Sequence, residues 1–167
     1  RIIYQNMPRI TLSIQDGSFN QNAAFLKAVE SAKSRSGKLH IMGLVGQGSV
    51  HSYMEHLFAL LEMAQKAGMD NAYIHAFTDG RDSPPISGAE TIDTLERKMK
   101  QAHFGTLASV IGRNWAMDRN NNWDRIEKAY RMMTEGIGEQ CESVAEYMRK
   151  SYAKNITDEF IEPGVVY

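Results

Sequence analysis

Asp79, Arg81 and Asp82 crowd the end of the stretch N-A-Y-I-H-A-F-T-D-G-R-D-S-P-P, residues 71–85. Two carboxylates around a guanidinium make a corner suited to an anion. An arginine fork matches phosphate and carboxylate oxygens, and an aspartate within hydrogen-bond reach can take up and release a proton. The same corner has a plainer interpretation. Asp79-Gly80 is an ordinary turn dipeptide, Asp82 can cap the segment that follows, and Arg81 can form a surface ion pair of little worth. Two more polar groups follow apolar runs. Gly46, Gly48 and His51 come after one, and Arg113, with Asp118 and Arg119 close behind, comes after another. They too can be read plainly. Gly46-Gln47-Gly48 fits neither the dinucleotide fingerprint nor the P-loop spacing. His51 can cap or pack, and Arg113 and Arg119 can pair with Asp118 and Asp124 on a solvated face.

The apolar pattern supplies a frame for these groups. Residues 38–45, 72–77 and 106–111 are apolar runs of strand length, and the first is expected to be buried. Helical faces lie between and after them: Met54, Leu57, Phe58, Leu61 and Ala64, ended by Gly68; Ile92, Leu95, Met99 and Ala102; Ile126, Ala129, Tyr130 and Met133, broken at Gly136 and Gly138; Val144, Tyr147 and Met148. Ser52/Glu55, Ser87/Glu90 and Ser143/Glu146 have the spacing of capping boxes, and Asn120–Asn122 can cap the third of these helices. The alternation predicts an α/β fold: a mostly parallel sheet with helices on both faces, in three layers. Ligands of such sheets bind beyond the carboxyl ends of the strands. The three polar groups then meet on one edge, and this convergence makes a small polyanion the expected ligand.

Residues 1–36 lie outside the alternation and read as a helical lead-in or hinge segment, with helix starts near Pro8 and Asn22. Residues 37–167 form the α/β ligand-binding domain, with an irregular stretch at 155–164 and a further strand beginning at Val165–Tyr167. The chain has 167 residues, 43% apolar and 23% charged, with a formal net charge of −1. That fits one core and gives no reason to expect a nucleic-acid or membrane partner. Apolar runs of about 18 residues are absent. The lone Cys141 leaves no internal disulfide and suits a reducing, cytoplasmic compartment. His40, His56, His75 and His103 lack metal-ligand spacing, and His51 and His56 are off helical register, so no metal site is expected here. Trp115 and Trp123 read as packing groups. Ser, Thr and Cys show no activated nucleophile, so the residues compose half of an active site: they hold a substrate without the group that attacks it. A chain that begins at Arg1, without methionine, reads as a fragment or a processed product.

Several blocks together resemble the inserted, substrate-binding domain of the cofactor-independent phosphoglycerate mutases. They are R-I-I-Y-Q (1–5), D-G-S-F (16–19), G-L-V (43–45), V-H-S (50–52), H-A-F-T-D-G-R-D-S-P-P (75–85), G-R-N-W-A-M-D-R (112–119), W-D-R-I-E-K-A-Y (123–130) and T-D-E-F-I-E-P (157–163). They run in order over nearly the whole chain. The resemblance implies an isomerase of glycolysis and gluconeogenesis that interconverts 3-phosphoglycerate and 2-phosphoglycerate. It implies a serine and two manganese ions on a separate phosphatase-like domain that this chain lacks. By the same resemblance His51, Arg81, Asp82, Arg113 and Arg119 are substrate contacts, and Asp82 is the catalytic proton shuttle between the glycerate hydroxyls. The chain alone is then not expected to complete the reaction. In the family the loop before the histidine reads S-D-G-G-V-H-S-H, where this chain has Gly46-Gln47-Gly48-Ser49-Val50-His51-Ser52-Tyr53. The rival expectations are a phosphoglycerate-binding module without turnover, and a structural α/β module whose polar edge meets a protein.

Overall fold

The computed structural model describes residues 3–48 and 50–166. Arg1 and Ile2 of the expected lead-in, Ser49, and Tyr167 of the strand expected at 165–167 lie outside the described residues.

Helix α1 (Asn6–Gln15) ends at Gly17, whose φ of 81° needs a residue without a Cβ, and a 3-10 turn (Ser18–Gln21) leads to α2 (Ala23–Ser34). The Asn22 side chain starts α2 by accepting from the N–H groups of Ala24 and Phe25 at 3.0 and 3.2 Å. α1 buries no residue, and its Thr11 shares a 2.9 Å hydrogen bond with His56 of the next helix but one. Val29 of α2, by contrast, is buried in the main core.

The chain then alternates: β1 (Leu39–Val45), α3 (Met54–Lys66), β2 (Ala72–Thr78), α4 (Gly88–Ala102), β3 (Thr106–Gly112). After β3 come the short α5 (Arg113–Ala116), α6 (Trp123–Glu135), β4 (Glu139–Cys141), α7 (Val144–Tyr152), a 3-10 turn (Asp158–Phe160) and β5 (Gly164–Val166). The sheet order is β1-β2-β3-β5-β4. β1, β2 and β3 are mutually parallel, β5 runs antiparallel to β3, and β4 is parallel to β5. Strand alternation puts Ile74, Ala76 and Val110 in one core with residues of α2, α3, α4 and α7. Phe77 and Ile111 share a second, smaller core with Ala129 and Met132 of α6 and Trp115 of α5. The result is the expected three-layer α/β arrangement.

Details differ where tertiary partners override local signals. β1 is an edge strand in which only Val45 is fully buried, not the buried strand its composition predicts. β4 was not expected: Glu139-Gln140-Cys141 is short and polar, and it becomes a strand because β5 offers it a partner. Of the three capping boxes, only Ser143 accepts a bond, from the N–H of Glu146 at 3.3 Å. α3 starts after Tyr53 with no side-chain cap, and the Ser87 hydroxyl instead donates to the carbonyl of Pro84 at 2.9 Å.

Candidate anion-binding site

Register places the site. Val45 pairs with Thr78, and Thr78 with Gly112, so the three parallel strands end level with one another. The loops after them share one edge. The antiparallel course of β5 brings its lead-in to the same edge, where the Gly112 N–H donates to the carbonyl of Ile161 at 2.8 Å. A cavity of about 590 Å³ opens there. All five residues singled out from the sequence line it: His51, Arg81, Asp82, Arg113 and Arg119. Asn114, Asp118, Arg125 and Glu159 join them.

Asp79 organises the floor. It follows β2 directly and is 3% exposed. Its Oδ1 accepts from Arg113 Nη1 at 2.5 Å and from the N–H groups of Asp82 and Arg81 at 3.2 and 3.3 Å. Its Oδ2 accepts from the Ser83 hydroxyl at 2.7 Å. Burial pushes the Asp79 carboxyl up, but the bonds from Ser83, Arg113 and the two backbone N–H groups outweigh it and hold the group below its ordinary value. Arg113 Nη1 also donates to Asp82 Oδ2 at 2.8 Å. Burial pulls the Arg113 guanidinium down, and its bonds and charges with Asp82 and Asp79 more than reverse this, so it stays protonated. Arg113 thus pairs with Asp79 and Asp82, not with Asp118 or Asp124.

The glycine-containing loop is tied to the same floor. The Gly48 N–H donates to Ser83 Oγ at 2.9 Å, which joins the loop before His51 to the loop carrying Asp82. A Cβ at Gly48 would run into the backbone carbonyl of Asp82. One at Gly46 would fall 2.7 Å from Ser83 Oγ. These glycines let two loops approach closely, which explains a glycine pair that matches no phosphate-loop spacing.

Around the walls the groups are looser. His51 Nε2 is 3.8 Å from Asp82 Oδ2, and Arg81 Nη1 is 3.8 Å from Glu159 Oε1. Arg119 is exposed. Asp118 accepts from Asn122 through both its side chain (2.8 Å) and its N–H (2.9 Å), and from the Asn120 N–H at 3.0 Å. These bonds, that from the Asn122 side chain foremost, hold its carboxyl below the ordinary value against a smaller opposing effect of burial. Arg125 Nη1 stands 3.5 Å from Asp118 and donates to Asn114 Oδ1 at 3.1 Å. Asn122 therefore spends its side chain on Asp118 instead of capping α6.

Arg125 and Glu159 were not picked out as site residues, although both fall in quoted blocks. Arg125 reaches the edge from the first turn of α6, and Glu159 arrives only through the antiparallel turn into β5. Trp115 packs as expected, donating to the Phe160 carbonyl at 3.3 Å under the ammonium of Lys128. Trp123 does not pack; it is 73% exposed. The remaining histidine of the central block, His75, lies on the sheet face, bonded to Ser109 at 2.7 Å and His40 at 2.9 Å. No group of three or more His, Cys, Asp or Glu residues placed to hold a metal ion occurs among the described residues. The cavity offers guanidinium donors on several sides, and of its three carboxylates (Asp82, Asp118 and Glu159) Asp82 is the one bonded to the most deeply held guanidinium. Such an arrangement can bind and orient a polyanion and exchange a proton with it.

Comparison with known proteins follows the same lines. The family described as BPG-independent PGAM N-terminus matches residues 10–167. The chain is 51% identical over 166 residues to the 2,3-bisphosphoglycerate-independent phosphoglycerate mutase of Syntrophotalea carbinolica, covering 99% of this chain and 32% of that protein. It is 48% identical to the protein of the same name from Moorella thermoacetica, again over 99% of this chain and 32% of the relative. A crystal structure of Leishmania mexicana phosphoglycerate mutase at low cobalt concentration aligns with a TM-score of 0.91 at 27% identity, over 99% of this chain and 32% of that one. The chain thus spans 32% of the length of these relatives.

Proposed function

The chain belongs to the family described as BPG-independent PGAM N-terminus, and on that premise we propose that its strand-end cavity is the substrate-holding half of a phosphoglycerate mutase. The ligand is 3-phosphoglycerate or 2-phosphoglycerate. The observation that carries this is the convergence of His51, Arg81, Asp82, Arg113 and Arg119 on one cavity from three separate strand ends. The phosphoryl-carrying serine and two manganese ions belong to the remainder of a longer protein, where the metals supply charge neutralisation for phosphoryl transfer. This chain supplies position and a proton route. Arg113, fixed through Asp79, orients the ligand, and Arg81 and Arg119 reach it from the rim. When the phosphoryl group leaves one glycerate oxygen, that oxygen needs a proton; before it returns to the other, that hydroxyl must lose one. Asp82 is placed to carry this single proton between the two, and His51 lines the same wall. A reducing, cytoplasmic setting fits the buried free Cys141.

Two measurements test the proposal. Calorimetric titration of the chain with 3-phosphoglycerate is expected to show binding that Arg113→Ala weakens about tenfold or more. No heat of binding at millimolar ligand removes the cavity from its role. In a protein that also carries the serine and metals, Asp82→Asn is expected to abolish isomerisation while phosphate-ester hydrolysis persists. Near-normal mutase turnover in that variant takes the proton transfer away from Asp82.

A further inference from the structure

The ionic groups of the cavity differ in how firmly they are held. Arg113 is clamped by two aspartates, and its side chain is only 12% exposed. Asp118 is occupied by Asn120, Asn122 and Arg125. Arg81 and Glu159, like His51 and Asp82, are paired more loosely. Their charged atoms are 3.8 Å apart, beyond ordinary hydrogen-bond length, and the side chains are 59% and 22% exposed. The two ends also differ in stiffness. Glu159 sits on a braced backbone: its N–H lies so close to Gly80, at φ 67°, that a Cβ there would come within 2.7 Å of it. The Glu159 carbonyl is packed against Gly112 in the same way. Arg81 is a long exposed arm on the opposite loop. A carboxylate in the wall of an anion cavity opposes binding through its charge, so its presence needs a reason.

We propose that Glu159 is a latch for Arg81. It holds the guanidinium at the rim of the cavity, and an entering phosphoryl or carboxylate group must take Arg81 from it. Glu159 thereby lowers affinity by competing with the ligand for Arg81. This inference rests on the anion-site assignment above.

Calorimetry on the 167-residue chain, with 3-phosphoglycerate and 2,3-bisphosphoglycerate as probes, tests it. Glu159→Gln is expected to tighten 3-phosphoglycerate binding roughly two- to fivefold, the size of one loosely paired exposed charge, and to tighten bisphosphate binding by a similar factor, because both anions must take Arg81 from the same partner. Glu159→Ala should change affinity in the same direction, and circular dichroism checks that both variants fold. In an Arg81→Ala background the gain for 3-phosphoglycerate should shrink toward none. Unchanged or weaker binding by Glu159→Gln, with wild-type binding intact, overturns the latch and leaves the cavity assignment standing. An equal gain with and without Arg81 also overturns it, because the carboxylate then acts by general repulsion. Failure of the wild type and every variant to bind either probe overturns the cavity assignment and the latch together.

Discussion

Two buried aspartates close the carboxyl edge of the sheet, and their surroundings treat the same side chain in opposite ways. Asp79 is 3% exposed and Asp158 is 1% exposed. Thr78 joins their regions, its hydroxyl donating to the Asp158 carbonyl at 2.7 Å. Asp79 lies behind the cavity lining, and its partners include the Arg113 guanidinium, which does line it. Asp158 faces the helices behind the edge. Its Oδ2 accepts from the Gly88 N–H at 2.7 Å, and its Oδ1 takes the hydroxyl of Tyr152. Burial pushes the Asp158 carboxyl up, and the charge of Asp79 adds to this; the bonds from Tyr152 and the start of α4 offset only part of it. Burial and the bond to Asp158 push the Tyr152 hydroxyl up as well. Burial therefore does not decide the state of a carboxyl group at this edge. The partners do: the Ser83 hydroxyl, the Arg113 guanidinium and two backbone N–H groups hold Asp79 below its ordinary value, whereas Asp158, with fewer donors and the charge of Asp79 nearby, stays above its own and serves as a cap that fastens α4 to α7.

Asp79→Asn is the substitution with the largest expected effect. It removes the charge opposite the shortest bond of Arg113 and leaves a nearly buried guanidinium with Asp82 as its one paired anion, for a loss of about 3 kcal/mol of stability at neutral pH. Its dependence on acid has a definite sign. The folded-state value of Asp79 lies below the ordinary one, so its contribution is present above about pH 4 and is lost as pH falls through the folded value. The deficit of the variant should therefore shrink in acid. Urea denaturation at neutral pH and below about pH 4 measures this. A neutral-pH loss under about 1 kcal/mol would place the pair with ordinary surface bridges and break the contrast with Asp158.

The two regions also differ in how readily the sequence reveals them. The Asp79 corner is visible because its members are neighbours: Asp79, Arg81, Asp82 and Ser83 fall within one block at a strand end, and the rule for open sheets says where that end points. Arg113 is readable for the same reason, as the first residue after β3. Asp158 gives no comparable sign. Its partners are Gly88, far back in the chain, and Tyr152, which no motif or capping pattern singles out. The Ser87/Glu90 pair even advertises a different cap for α4, and the tertiary carboxylate displaces it. Glu159 is hidden by the same turn. Nothing in residues 155–164 announces that β5 returns antiparallel to β3, yet that reversal carries Glu159 to the cavity. Local periodicity fixes the layers; contacts made once, between distant segments, complete the site.

Asp158→Asn should have the smaller effect and the opposite response to acid. The amide oxygen can still accept one of the two bonds, and replacement removes a charge buried among neutral groups, so the loss at neutral pH should be about 1 kcal/mol. The folded-state value of Asp158 lies above the ordinary one. A group of this kind contributes stability that is fully present below its unfolded value and disappears as pH rises through its folded value. The wild type thus gains on the variant as pH falls from neutrality toward about 4, and the deficit of Asp158→Asn should grow over the range in which that of Asp79→Asn holds steady and then shrinks. Parallel denaturation series on the two variants read both slopes. If the two deficits move in the same direction with acid, the partners of the two carboxylates do not set their states, and net charge across the whole edge must account for both.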